Sequence, residues 1–257
     1  MDSVNKKAAI ATIIVLAIIA AFCSGFMENT KKYTVNDYFE NVSVDVKDSS
    51  VRICLSQDNN AYVKCQRSDD VDVSGNTLKI KEEREWFRFL NFSNPKIEIY
   101  LPEREYKKLV IDAVSGSADL RDRISFEDAE VESVSGSIEV DIEISNKAVF
   151  SSASGSLRLE DLNCRELSLS TISGSVKLDK VISDKSMIIE TTSGSLKLDK
   201  IDSKSIEITT VSGSVNGEIL SDKQYQISTL TGSVSIPESR GSESCKIETV
   251  SGSIDIE

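Results

Sequence analysis

The chain has 257 residues, 30 Lys plus Arg against 42 Asp plus Glu for a formal net charge of −12, and no histidine. Without an imidazole there is no Ser-His-Asp or Cys-His site, no His-rich zinc site and no ordinary proton shuttle near neutral pH. The acidic balance repels nucleic acid and anionic lipid, and the length suits one large β ectodomain.

Residues 1–7 form a short stub ending in Lys6 and Lys7, ahead of an uncharged run over 8–26. That run is long enough to cross a bilayer as one helix. The two lysines hold the stub in the cytoplasm and send the chain beyond the run to the outside. The expectation is a single-pass cell-membrane protein with an extracytoplasmic C-terminal domain. A cleaved signal peptide is the rival reading, because Ala21-Phe22-Cys23 has small residues at both required positions. The length of the apolar run favours a retained anchor, and Phe22 ahead of Cys23 argues against a lipoprotein. Residues 27–37 are polar and read as a linker.

Strand-like stretches come next at 42–46, 51–55, 61–66, 77–81 and 96–101, separated by turn signals at Gln57-Asp58-Asn59-Asn60 and Ser74-Gly75-Asn76. This region, 38–108, lacks a strict period and is expected to be a β cap covering a sheet edge. Cys54 and Cys65 flank an expected hairpin, where an exported domain could join them in a disulfide. Trp86, Phe87, Phe89 and Phe92 form an aromatic segment between two charged stretches. It reads first as a loop folded onto the cap, and secondly as an exposed interaction patch.

From 109 to 257 one phrase recurs eight times. Its centre is Ser-Gly-Ser or Thr-Gly-Ser at Gly116, Gly136, Gly155, Gly174, Gly194, Gly213, Gly232 and Gly252, spaced 19 or 20 residues apart. Five residues before each glycine stands an apolar column running from Ile111 to Ile247. Two residues after each glycine stands another, from Ala118 to Ile254, and four after it a third, broken only by Gly217. The positions between the last two columns carry no apolar residue, so each repeat holds two short strands with one buried face, joined at a glycine corner. Matched columns at constant period predict parallel, in-register stacking: an all-β, single-stack parallel β-solenoid of about eight coils.

Glycine suits such a corner because it takes positive φ and lets neighbouring backbones come close. A threonine column three residues before the glycine (Thr171, Thr191, Thr210, Thr229 and Thr249) reads as a corner ladder. Cys245 falls in an inward column with Ile206 and Met187, as a core hydrophobe. The chain stops on Ile254-Asp255-Ile256-Glu257 with no following cap. The last coil is therefore expected to be an open rung, guarded by Asp255 and Glu257 or used for end-to-end self-association.

Repeated Ser-Gly-Ser followed by apolar-polar-apolar, after an Ile-Tyr-Leu-Pro strand end at Ile99 to Pro102, resembles the bacterial "putative adhesin" β-solenoid family over residues 38–257. The resemblance implies an envelope-located solenoid with an adhesive or envelope-sensing role. It supplies no catalytic residues.

These readings converge on a membrane-anchored, non-catalytic adhesion or scaffolding module, with a cell-wall glycan or a surface protein as partner and no cofactor or metal. The alternative is a polysaccharide-active enzyme on a parallel β-helix, working through carboxylates. The outward column Asp112, Glu132, Ser151, Ser170, Glu190, Thr209, Ser228 and Glu248 is too scattered for that. The Gly-Gly-x-Gly-x-Asp signature of calcium rolls is absent, and one threonine column falls short of an ice-binding array.

Overall fold

The structure is a computed structural model and describes residues 30–65, 70–82, 95–238 and 240–257. The expected membrane segment and the aromatic residues Trp86, Phe87, Phe89 and Phe92 lie outside them. Among the described residues no helix is long and apolar enough to cross a membrane.

The described chain is all-β. Its first strands are β1 (Lys31–Val35), β2 (Asn41–Val46), β3 (Ser50–Leu55), β4 (Ala61–Cys65), β5 (Asp70–Ser74), β6 (Thr77–Lys81) and β7 (Lys96–Leu101). Pairs of one longer and one shorter strand come after them: β8 (Glu105–Ala113) with β9 (Ala118–Leu120), β10 (Ser125–Ser133) with β11 (Ile138–Val140), and β12 (Glu143–Ser152) with β13 (Leu157–Glu160). Next come β14 (Asn163–Thr171) with β15 (Val176–Asp179), β16 (Ile182–Thr191) with β17 (Leu196–Ser203), and β18 (Ser205–Ser212) with β19 (Val215–Ile219). The last pairs are β20 (Lys223–Thr231) with β21 (Val234–Ser235), and β22 (Glu243–Ser251) with β23 (Ile254–Ile256).

The longer strands pair in parallel to make one wall and the shorter strands make the facing wall. The walls join where Ile182 and Ser183 of β16 pair Asp202 and Ser203 of β17, giving a nearly closed, barrel-like sheet. Register follows the columns: Ile111 pairs Val131, Val131 pairs Phe150, Phe150 pairs Leu169, and Leu169 pairs Ile189. These side chains are fully buried between the walls, because alternate residues of a strand face opposite sides. Cys245 is in the core too, paired with Ile206, which in turn pairs Met187.

Both ends of the stack depart from chain order. At the amino-terminal end, β6 and β7 lie outside β2 and β3, while β8 and β9 return to their other side. Antiparallel β5 then borders β6 on one wall, and β4 and β1 border β7 on the other. The stretch expected as a linker thus contributes β1, whose Tyr33 and Val35 pack on the core.

At the far end β18 pairs β22, and β22 pairs β20; likewise β19 pairs β23, and β23 pairs β21. The last coil is inserted between the sixth and the seventh. The expectation of an open C-terminal rung is therefore corrected: β20 and β21 form the outer edge, and Asp255 pairs Asn216 on one side and Ser235 on the other. Every rung offers the same apolar partners, so the stack accepts either order. The step back falls between β21 and β22.

The disulfide expectation fails for a topological reason. β7 lies between β3 and β4, with Cys54 opposite Tyr100 and Cys65 opposite Ile97. Cys65 shares the inward parity of Val63, whereas Cys54 shares the outward parity of Arg52, so the thiols sit on opposite faces of the sheet.

Candidate binding surface at the glycine corners

The eight glycines stack directly upon one another, and the reason is space. A Cβ on Gly136 would lie 1.9 Å from the carbonyl oxygen of Gly116, one on Gly155 1.9 Å from that of Gly136, and one on Gly174 1.8 Å from that of Gly155. The column begins at Ser49, whose carbonyl oxygen would lie 1.8 Å from a Cβ on Gly116. Of the eight, Gly232 alone has φ in the left-handed region, so close approach and not backbone freedom selects the residue.

Inside the corner a hydroxyl ladder links rungs. Ser152 Oγ accepts from the Gly155 amide at 2.8 Å and donates to the Gly136 carbonyl at 3.1 Å; Ser133 and Thr171 repeat the arrangement. Further along, the buried hydroxyls of Thr191, Thr210 and Thr249 have no hydrogen-bond partner among the described residues. At the amino-terminal end the carboxylate of Glu82 closes the column. It accepts from the backbone amides of Lys47 at 2.6 Å, Asp48 at 2.9 Å and Ser49 at 3.3 Å. Burial raises the Glu82 pKa, but these amide hydrogen bonds outweigh it and the net direction is downward.

Outside the corner runs the feature that reading the columns missed. Two residues before each glycine stand Val114, Val134, Ala153, Ile172, Thr192, Val211, Leu230 and Val250. Strand alternation turns this position outward, and Val114 (48%), Ile172 (55%) and Leu230 (79%) are open to solvent. β-propensity alone does not account for it. The outward column two residues earlier carries only acidic and hydroxyl side chains. A mainly apolar ridge, interrupted at Thr192, therefore runs along the stack at about 4.8 Å per step. Periodicity hid it because it concerns buried positions; aligning the repeats and asking which outward column stays apolar would have found it.

Beside the ridge lies a shallow groove of about 430 Å³, with Val114, Val134 and Ile172 on one side and Asp45, Asp112 and Glu132 on the other. Asp45, Asp112 and Glu132 are neighbours in register across β2, β8 and β10. Burial first, then the like charges of Asp45 and Glu130, push the Asp112 carboxyl upward. Exposed apolar side chains flanked by hydroxyls and carboxylates can hold an extended partner by contact and hydrogen bonding. Among the described residues no cluster of three or more metal-ligating side chains occurs. Burial pushes the thiols of Cys164 and Cys245 up to about 12 and that of Cys54 up to about 11, which leaves them unreactive.

A second polar cluster sits at the out-of-order rungs. Lys223 is fully buried, and its ammonium donates to Asp202 Oδ1 at 2.6 Å, Glu243 Oε2 at 2.6 Å and the Ser203 carbonyl at 2.5 Å. Three coils are tied at one point, around an ammonium closed off from solvent by its partners.

A family model described as Toastrack DUF4097 matches residues 39–257. Among solved structures, a protein of Parabacteroides distasonis described as a "putative lipid binding protein" is similar at a TM-score of 0.56 and 18% identity, over 90% of this chain and 98% of its own. A second from the same organism, described as a "putative adhesin", gives a TM-score of 0.54 at 12% identity, over 88% and 96%. At such identities the likeness is one of fold. A comparison with curated proteins finds no match. With the family model covering the glycine corners, both walls and the cap from Phe39 onward, the chain belongs to the Toastrack DUF4097 family.

Proposed function

We propose that this chain is a membrane-anchored, extracytoplasmic β-solenoid acting as a non-catalytic adhesion or envelope-associated binding module. The apolar ridge at the glycine corners carries this reading: it gives one repeated contact per rung, the geometry that suits a linear, repeating partner such as a cell-wall glycan or an extended surface protein. Fold neighbours described as adhesin and lipid-binding proteins support a binding role. The uncharged run at 8–26 after Lys6 and Lys7 supports the anchor.

The test uses the full-length chain in detergent against isolated envelope fractions and a glycan array, beside a Val134→Asp, Ile172→Asp variant. Loss of capture by at least tenfold in the variant, with an unchanged melting temperature, is the expected result. Equal capture by both would remove the ridge from the account. Release of soluble sugar by the wild-type chain would replace binding with catalysis.

A further inference from the structure

We propose that the outer edge formed by β20 and β21 docks against the same edge of a second copy of this chain, making a closed two-fold dimer.

The two ends of the stack are built differently. At the cap end the edge strands β1 and β5 run antiparallel to their neighbours and carry exposed Lys31, Lys32, Asp70 and Asp72, charges that discourage further strand pairing. At the other end β20 pairs only β22 and β21 only β23 among the described residues. Residues 224–237 hold no charged side chain, in a chain that is 28% charged.

The core is also left open there. Val234 belongs to a column buried at every other rung, yet it is 43% exposed, and Ile236 in the next column is 37% exposed. The backbone is ready to pair. The Ser244 amide donates to the Lys204 carbonyl at 3.1 Å, and alternate residues of a parallel strand bond to alternate sides, so the backbone groups of Cys245, Ile247 and Thr249 in β22 face β20. These odd-numbered residues pair Tyr225, Ile227 and Thr229 and bond to the flanking Gln224, Gln226 and Ser228, so Tyr225, Ile227 and Thr229 turn their N–H and C=O groups to the open side.

Charge and symmetry identify the occupant. A two-fold axis passing through both walls sets β20 antiparallel to β20 of the second copy, with each edge strand against its own sequence. A charge near the axis would meet its own copy, so an uncharged edge favours self-pairing. A copy with net charge −12 approaches another with least repulsion through this end. The charged antiparallel cap stops growth at the other end, so assembly ends at two. The first described residues lie at the cap end. On the reading of the chain as membrane-anchored, on which this consequence rests, the two anchors leave the dimer at opposite ends and the contact joins facing membranes.

Sedimentation of the full-length chain in detergent tests the docking. The expected mass is two chains for the wild type and for a Val134→Lys, Ile172→Lys ridge variant. One chain is expected for Ser228→Lys, Leu230→Lys and for Thr229→Pro, which removes an outward N–H donor. Far-ultraviolet circular dichroism checks that each variant is folded. A wild-type mass of one chain, an edge variant that stays paired, or a mass growing past two chains would overturn the proposal. Vesicles bearing the chain should cluster through the same edge. Paired chains in detergent without vesicle clustering uphold the docking and count against the anchor.

Discussion

The ammonium of Lys223 lies 2.6 Å from the carboxylate of Asp202, although the two residues belong to coils that are not adjacent in the stack. Glu243, from the inserted last coil, completes the cluster at 2.6 Å. The contact ties the out-of-order seventh coil to the stack.

Removing the charges asymmetrically should reveal this. The two carboxylates are partly exposed and can recover water, whereas Lys223 cannot. Asp202→Ala with Glu243→Ala should cost about 3–5 kcal/mol, since it strands a buried ammonium. Lys223→Met should cost distinctly less. Urea denaturation of the three proteins measures both, and the reverse ranking would contradict the assignment.

The glycine column predicts a contrast between crowding and conformation. Gly155→Ala drives a methyl to 1.9 Å from a backbone oxygen and should cost about 3 kcal/mol or more. Gly75→Ala meets nothing within 4 Å, and its φ of +59° should cost about 1–2 kcal/mol. Thermal melts of both variants rank them.

The hydroxyl ladder predicts opposite responses along one column. Ser152→Ala breaks two hydrogen bonds and leaves the Gly155 amide without its acceptor, at about 1–3 kcal/mol. Thr191→Val and Thr210→Val remove hydroxyls already buried without a partner among the described residues and should be neutral or stabilising. Chemical denaturation curves decide it.

Glu82 gives the fold a pH dependence of known sign. Its pKa in the folded chain lies below the ordinary glutamate value, so the stability it supplies is complete above the unfolded pKa of about 4.3 and is lost as pH falls through the folded value. Glu82→Gln should lower the melting temperature at neutral pH and flatten its decline in acid. A decline as steep as that of the wild type would show that the capped corner does not govern it.

The repeat was open to reading because the glycines, the apolar columns and the corner hydroxyls each recur at fixed offsets, and stacking converts a period into registry. Cap strands β2, β3, β6 and β7 were legible from their apolar alternation. Coil order was not: Ile208, Ile227 and Ile247 are chemically alike, so nothing in the pattern says that Ile247 pairs Ile208 and leaves Ile227 outermost. The strand at 31–35 was masked by its two exposed lysines, Lys31 and Lys32. Cys54 and Cys65 misled because a hairpin is the default for neighbouring strands, whereas here β7 came between them. The ridge escaped because Val114 or Ile172, taken singly, looks like any strand residue.

The central claim is that successive turns rise in a straight stack and present one corner residue per rung. Electron–electron distance measurement tests it on the full chain carrying Cys23→Ser, with spin labels on Val114→Cys paired in turn with Ile172→Cys and Val211→Cys. Three and five rungs predict separations near ~14 and ~24 Å, at about 4.8 Å per rung. Separations that do not grow in proportion to rung number would contradict the stack, and with it the ridge.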